Sequence, residues 1–377
     1  MEYRRIGDYI KEVDSRNRDL KITKLVGLTI NKAFIPSVAN VIGTDLSSYK
    51  VIQKEQFACS LMQVSRDGKI PVAMFEDEAA IMSPAYPMFE VVDKDVLLPQ
   101  YLMMWFSRSE FDREASFYAV GGVRGSLTWE DFCNMKLPVP SVDRQREIVE
   151  EYETLSRRIR LNEQITEKLE VTAQALYRKM FVDNIDKENL PEGWKIGSLT
   201  EVATYLNGIA CQKYETNESD FLPVLKIREL SQGYCDSNSD HVSLDIPNDF
   251  IINDGDVIFS WSATLFIDIW CGGKSALNQH LFKVSSKHYP KWYIFLWTLY
   301  HIDEWKRLIS AKATSMGHIK REDLESAEVI IPSKTSLEEM NIHFEPLFDL
   351  YILKKKENLK LSELQSLLLA KMGNLKQ

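Results

Sequence analysis

Cysteine is scarce in this chain of 377 residues: Cys59, Cys133, Cys211, Cys235 and Cys271 are widely scattered and form no CxxC pair. That scarcity argues against a disulfide framework or a thiolate zinc site and leads to the expectation of reduced, cytosolic thiols. The six histidines are dispersed, with no pair at metal-ligand spacing, so no bound metal is expected. Long apolar runs are missing too. The most apolar stretch, residues 292–300, is far shorter than the roughly 20 residues a spanning helix requires, and no membrane association is expected. The charged and polar opening does not read as a secretory leader, so a cytoplasmic protein is expected. Basic charge is in deficit: 46 Lys and Arg face 55 Asp and Glu, for a net charge of −9. This balance argues initially against nucleic acid, whose phosphates call for a basic surface. The objection weakens if the acidic residues lie on exposed helix faces while loops elsewhere are locally basic, or if a partner supplies phosphate contacts.

Catalytic signatures are also absent. Cys271-Gly272-Gly273-Lys274-Ser275 imitates the end of a P-loop, but Asp268 stands where the first glycine belongs. The chain has no GxSxG elbow, no HExxH and no N/D-P-P-Y/F tetrad. Nor does a Gly-rich strand-to-helix turn suggest an S-adenosylmethionine pocket. The acidic run Glu76-Asp77-Glu78 lacks a basic or histidine neighbour and reads as a solvated edge. The chain is therefore expected to be no enzyme and to bind no cofactor itself.

What is present is a long seam, repeated. Alternating steps of four and three residues from Ile148 meet Tyr152, Leu155, Ile159, Asn162, Thr166, Leu169, Ala173, Leu176 and Met180. This 3.5-residue spacing is that of a coiled coil. Adding 192 to each number gives Met340, Phe344, Leu347, Tyr351, Lys354, Asn358, Leu361, Gln365, Leu368 and Met372. Both walks weaken at the same central steps, Asn162 and Thr166 against Lys354 and Asn358. If the helices pair antiparallel, these polar centres meet, and a buried polar group there can fix register.

The segments before each helix also correspond. Residues 1–140 read as a first β-rich domain, with strand candidates at 24–30, 49–57 and 88–92 and a short aromatic helix over 100–111. The loop Gly121-Gly122-Val123-Arg124-Gly125-Ser126 and the extended Leu137-Pro138-Val139-Pro140 lead to Ser141, a natural cap for a helix over 141–182. A polar connection, 183–194, introduces the second domain, residues 183–333. Its strand candidates lie at 221–230, 250–262 and 277–284, with a turn at Asn253-Asp254-Gly255-Asp256. Residues 291–308 match the earlier aromatic helix, and Val329-Ile330-Ile331-Pro332 matches the earlier exit. Ser336 and Glu339 fit a capping box opening the last helix, 334–377, which Pro346 is expected to kink near its start. The fold class that follows is α+β: two β-rich domains and two long helices forming an antiparallel intramolecular coiled coil, arranged as a pseudo-twofold tandem repeat.

The candidate binding groups lie on loops that hold hydrogen-bond donors beside small or aromatic residues. Arg66, Lys69, Arg124, Ser126 and Thr128 form the first set; Trp261, Asn278, Gln279, His280, Ser315, His318 and Lys320 form the second. Arg, Asn and Gln can make bidentate contacts to purine edges, while Ser and Thr can bind phosphate. Taken singly, each also reads as a solvated loop residue or a structural hydrogen bond.

The whole chain resembles the specificity subunits of type I restriction–modification enzymes. The resemblance rests on the Gly loop and proline exit into Asp143-Arg144-Gln145-Arg146-Glu147-Ile148-Val149, on Leu190-Pro191-Glu192-Gly193-Trp194, and on Leu277-Asn278-Gln279-His280. The second copy departs at 336–339, where it lacks the Gln-Arg-Glu-Ile sequence. The resemblance implies a non-catalytic subunit that recognises double-stranded DNA, each domain reading one half of a split target while the helices set the separation. It further implies two adenine-N6 modification subunits and ATP-dependent restriction subunits as partners, which would bring S-adenosylmethionine, ATP and Mg. The competing expectation is a scaffold whose helices oligomerise and whose domains bind protein ligands.

Overall fold

A computed structural model describes residues 3–37, 43–62, 64–120, 125–217, 219–311 and 318–373, and only the backbone at 308–311. It divides into two compact units, Met1–Arg157 with Ser362–Gln377, and Arg158–Leu361. Each unit holds one β-rich domain and stretches of both long helices.

In the first unit, strand Tyr3–Arg5 pairs antiparallel with Lys136–Pro138, so the extended proline exit closes onto the start of the domain. A four-stranded sheet has the spatial order Ile10–Glu12, Met88–Val91, Phe57–Cys59, Val72–Met74. Its centre is buried, and Phe57 and Phe89 stack across neighbouring strands with centroids 5.0 Å apart. The expected helix over 100–111 is broken into Pro99–Phe106 and Ser109–Ala119. At the break the Ser107 hydroxyl donates back to the Met103 carbonyl (2.9 Å) and Arg108 is extended (φ −74°, ψ 139°).

The second unit repeats the frame. Lys195–Ser198 pairs with Glu328–Ile331, and a sheet runs Thr204–Asn207, Leu281–Ser285, Val257–Ser260, Phe266–Ile269. Here one helix, Lys291–Ala311, passes unbroken through the positions where the first copy breaks. The 192-residue offset carries Trp129–Asn134 onto Arg321–Ser326 and Val142–Phe181 onto Lys334–Met372, to within a residue. The stretch expected as an interdomain connection packs into this unit: Val182, Ile185, Leu190 and Trp194 lie against its core.

One expectation about the last helix is corrected. The helix starts at Lys334, and the Ser333 hydroxyl accepts from the Ser336 N–H (3.2 Å), so Ser336 and Glu339 do not form the capping box. The Ser336 hydroxyl instead accepts from the Trp194 indole at 3.2 Å. Pro346 lies inside a helix that continues past it to Met372.

Every seam position named from the sequence is buried or half-buried. In the first unit, Ile148 and Tyr152 pack in one core with Leu369 and Met372, and Gln365 Nε2 donates to Ser156 Oγ at 2.6 Å. In the second, Leu169 and Ala173 share a lining with Leu347 and Tyr351. Numbers rise along one helix as they fall along the other, so in each unit the helices run antiparallel. Of the polar centre, one pair meets: Asn162, fully buried, donates to Asn358 Oδ1 at 2.8 Å. Thr166 and Lys354 turn aside, to the Glu163 carbonyl and the Glu357 carboxylate. Leu155, Ile159, Leu176, Phe344 and Leu361, with Leu368, complete the covered seam.

The location of the acidic charge is a further correction. The helix Val142–Phe181 carries eight acidic and eight basic residues, and Lys334–Met372 six of each, so neither is a reservoir of negative charge. Residues 1–141 hold 17 basic against 19 acidic side chains, whereas residues 182–333 hold 14 against 22. The deficit belongs to the second domain.

Candidate nucleic-acid interface

In the first unit, the candidate residues come from two strands of loop laid side by side. Arg66 lies on the short helix Val64–Asp67 and is exposed, with Nε 2.6 Å from Asp67 Oδ1. Lys69 follows, also exposed, and the next residue, Ile70, donates its N–H to Asp112 Oδ1 at 3.1 Å. Asp112 in turn receives Lys32 Nζ at 2.8 Å, with the two side chains only 9% and 11% exposed. Burial lowers the Lys32 pKa, and the Asp112 carboxylate opposes that shift. This buried pair anchors the loop that carries the two exposed cations.

The neighbouring loop is pinned by Leu127 N–H, which donates to the Leu61 carbonyl at 2.9 Å. Gly125 has φ +70°, and a Cβ there would lie 2.0 Å from Ser65 Oγ. Only glycine permits both that conformation and that approach. Ser126 is thereby held half-exposed beside the Arg66 segment. Thr128 is exposed but employed: its hydroxyl caps Trp129–Asn134, accepting from Asp131 N–H and donating to Asp131 Oδ2 at 2.6 Å. Arg124 lies outside the described residues.

In the second unit, the structure gathers Trp261, His280 and His318. The Trp261 ring lies 6.2 Å from His280, 5.8 Å from His318 and 5.6 Å from Phe282, centroid to centroid. Backbone geometry sets this arrangement: Ile319 N–H donates to the Trp261 carbonyl at 3.1 Å, and Ser262 bridges His318. Ser262 Oγ lies 3.2 Å from His280 Nδ1. Both histidines are exposed, Trp261 is half-exposed, and Ala263 beside it is held at φ +59°. Gln279 is half-exposed next to this patch.

Asn278 has a different task. It is 3% exposed, and its Oδ1 accepts from His280 N–H at 3.3 Å, so it shapes the loop from within. Lys320 is exposed and stands at the N-cap of Arg321–Ser326, its own N–H donated to Asp323 at 2.7 Å. Ser315 lies outside the described residues.

Sequence reasoning missed one member of this patch. Asn207, exposed at the end of its strand, accepts the Trp261 indole N–H on Oδ1 at 3.1 Å. The available signal was the following residue: a Cβ at Gly208 would lie 2.2 Å from the Asn278 carbonyl oxygen, a closeness that needs glycine. Beside Asn207, a groove of about 440 Å³ is lined by Thr204, Tyr205, Phe282, Arg321 and Leu324 among others. Among the described residues, no group of three or more His, Cys, Asp or Glu side chains is placed to hold a metal, and no helix is long and apolar enough to cross a membrane.

A repeated frame that exposes cations in one copy and an aromatic–amide patch in the other defines a tandem recognition protein. The chain belongs to the family described as "Type I restriction modification DNA specificity domain", which matches residues 7–171 and 191–363. Its role is accordingly DNA sequence recognition, without catalysis of its own. It is 22% identical over 303 residues to the type I restriction enzyme MjaIX specificity subunit of Methanocaldococcus jannaschii, covering 75% of this chain and 70% of that one. Over 98 residues it is 28% identical to the EcoBI specificity subunit of Escherichia coli, covering 26% and 20%. The solved type I restriction-modification system S subunit from M. genitalium shares the fold, with a TM-score of 0.56 at 12% identity over 98% of this chain and 95% of that one.

Proposed function

We propose that each β-rich domain reads one half of a bipartite DNA target and that the paired helices set the distance between the halves. The observation that carries this reading is the 192-residue repeat itself, in which strand pair, sheet order, short helix and long helix recur while the candidate loops differ. A duplicated frame with two different faces suits one chain that must recognise two unlike half-sites with two copies of one partner.

Those partners are two adenine-N6 modification subunits and ATP-dependent restriction subunits, in a cytoplasmic complex. S-adenosylmethionine, ATP and Mg belong to them. Arg66, Lys69, Arg124, Ser126 and Thr128 serve the first half-site; Trp261, Asn278, Gln279, His280, Ser315, His318 and Lys320 serve the second, by contact or by shaping the contacting loop. The near-neutral first domain leans on phosphate contacts more than the acidic second domain, whose patch favours base edges.

The test is methylome sequencing after co-expression with the cognate modification subunit. The expected result is one methylated motif with two defined halves around an undefined spacer. Removing one heptad from each helix shifts that spacer, since recognition elements on one face of B-DNA are separated by ~34–36 Å per turn. A continuous motif, or an unchanged spacer in the shortened chain, contradicts the reading.

A further inference from the structure

Asn207 was singled out by no motif, yet the structure fixes its side chain in an unusual way for an exposed amide. The indole N–H of Trp261 can only donate, so the amide atom 3.1 Å from it must be Oδ1. The usual ambiguity between oxygen and nitrogen in an asparagine side chain is thereby removed. Among the described residues the amide nitrogen has no hydrogen-bond partner.

The rest of the setting holds this geometry. Asn207 is opposite Phe282 in the sheet register, and Trp261 packs on Phe282 at 5.6 Å. Gly208 lets the following backbone press onto Asn278, and its N–H donates to the Leu281 carbonyl at 3.0 Å. Both the strand end and the indole are therefore fixed, and the amide is a preorganised pair of donors rather than a free rotor. Preorganisation of a polar group is what separates a specificity contact from a solvated side chain.

We infer that Asn207 is a specificity-determining residue of the second domain, its amide donating to an acceptor on one base edge, and that Trp261 is its positioning residue. This rests on the reading that the second domain recognises one half-site. Purine N7, guanine O6 and thymine O4 are the acceptors available in the major groove, and a donor held in place distinguishes them from the cytosine amino group.

Three variants, each co-expressed with the cognate modification subunit and read by methylome sequencing, test the assignment. Asn207→Ala removes the donors and relaxes one base position in one half-site, where discrimination falls by roughly 5- to 150-fold, the range carried by one base-edge contact. Trp261→Phe keeps the ring but removes the indole N–H, and it relaxes that same position. Asn207→Asp keeps an acceptor for the indole while replacing the donors by an acceptor, so methylation shifts toward a base presenting a donor there, such as cytosine.

The inference is overturned if Asn207→Ala leaves every position of a normally bipartite motif intact, or if the two residues relax different positions. It is also overturned if the variants only lower methylation uniformly while thermal unfolding is unchanged. A wild-type motif that is not bipartite sinks the half-site reading instead, so the two failures are told apart.

Discussion

The two long helices end against equivalent places in the two domains, and they fill them differently. In the second unit the first long helix ends at Phe181, 2% exposed, packed among Trp194, Trp292, Tyr293 and Trp297. In the first unit the position 192 residues on is Gly373, and the space is taken by polar-tipped side chains. Arg108 lies so close that a Cβ on Gly373 would meet its Nη2 at 2.5 Å, and the Tyr3 hydroxyl donates to the Gly373 carbonyl at 2.8 Å. The tryptophan beneath is common to both, Trp105 and Trp297, each with an indole N–H buried without a partner among the described residues. Arg108 covers the first at 4.1 Å, a cation–π contact, while Tyr300 meets the second edge-on at 5.8 Å. One frame thus tolerates two chemistries: polar clamps hold the first domain, aromatic packing the second. Recognition surfaces can diverge because the frame does not depend on one kind of core contact.

The contrast can be broken most severely at a buried aromatic of the second unit and a buried ion pair of the first. Phe181→Ala is expected to lower the stability of the second unit by about 3–5 kcal/mol, the usual loss for a buried aromatic. Asp112→Ala should destabilise the first unit by a similar ~3–5 kcal/mol, because Lys32 is left as a buried charge without its partner. Replacing both by Lys32→Met and Asp112→Leu should recover only part of that loss, because the Ile70 N–H still loses its Asp112 acceptor. Denaturant unfolding of the three variants decides the matter, and a double variant as unstable as Asp112→Ala alone would remove the pair from the account.

Transplanting one copy's solution into the other gives an intermediate effect. Gln145 is fully buried; its Oε1 accepts from Leu98 N–H at 2.9 Å and its Nε2 donates to the Val96 and Pro140 carbonyls at 2.8 and 2.9 Å. The equivalent residue in the second copy is Leu337, which packs in an apolar core. Gln145→Leu should therefore cost about 1–3 kcal/mol, from stranded backbone groups. Thermal unfolding shifted by less than a degree would mean that water replaces the amide there.

Charge supplies a finer distinction. Arg66→Ala and Lys69→Ala should each weaken DNA binding evenly across sequences and reduce the slope of log affinity against log salt by about 1. Asn207→Ala should leave that slope unchanged. Salt titrations of the assembled complex check both, and an equal slope change in all three would erase the proposed difference between a phosphate-directed and a base-directed domain.

The smallest effect lies in the coiled coil. Hydrogen bonds from Arg158 and then Lys354 depress the Glu357 pKa from 4.5 to about 2. A depressed carboxylate contributes stability above its unfolded pKa and loses it as pH falls through the folded one. Between roughly pH 4.5 and 2 the pairing of the helices in the second unit should weaken slightly, and Glu357→Gln should remove that part of the dependence. Arg158 is exposed and Glu357 half-buried, so salt should screen part of it. A pH profile in Glu357→Gln identical to the wild type would show that the pair contributes nothing.

The helices and the repeat were legible because a 3.5-residue seam and a constant offset are local patterns that need no tertiary knowledge. A meeting of the polar centres followed from the same arithmetic, but not which residues pair: Asn162 reaches Asn358, whereas Thr166 and Lys354 each find a partner on their own helix. The pairing of Tyr3–Arg5 with Lys136–Pro138 was not legible, since it joins segments more than 130 residues apart with no shared pattern. In the candidate interface, loop position alone could not separate His280, which is exposed, from its near neighbour Asn278, which is buried. Nor could it reveal Asn207, which becomes notable only when the indole of Trp261 arrives from another strand turn.

The most direct measurement of the central claim is an exchange of residues 1–140 for those of a relative with a different target, followed by methylome sequencing with the modification subunit present. The account predicts that one half of the methylated motif changes while the other half and the spacer stay as they were. A change in both halves, or in the spacer alone, would contradict it.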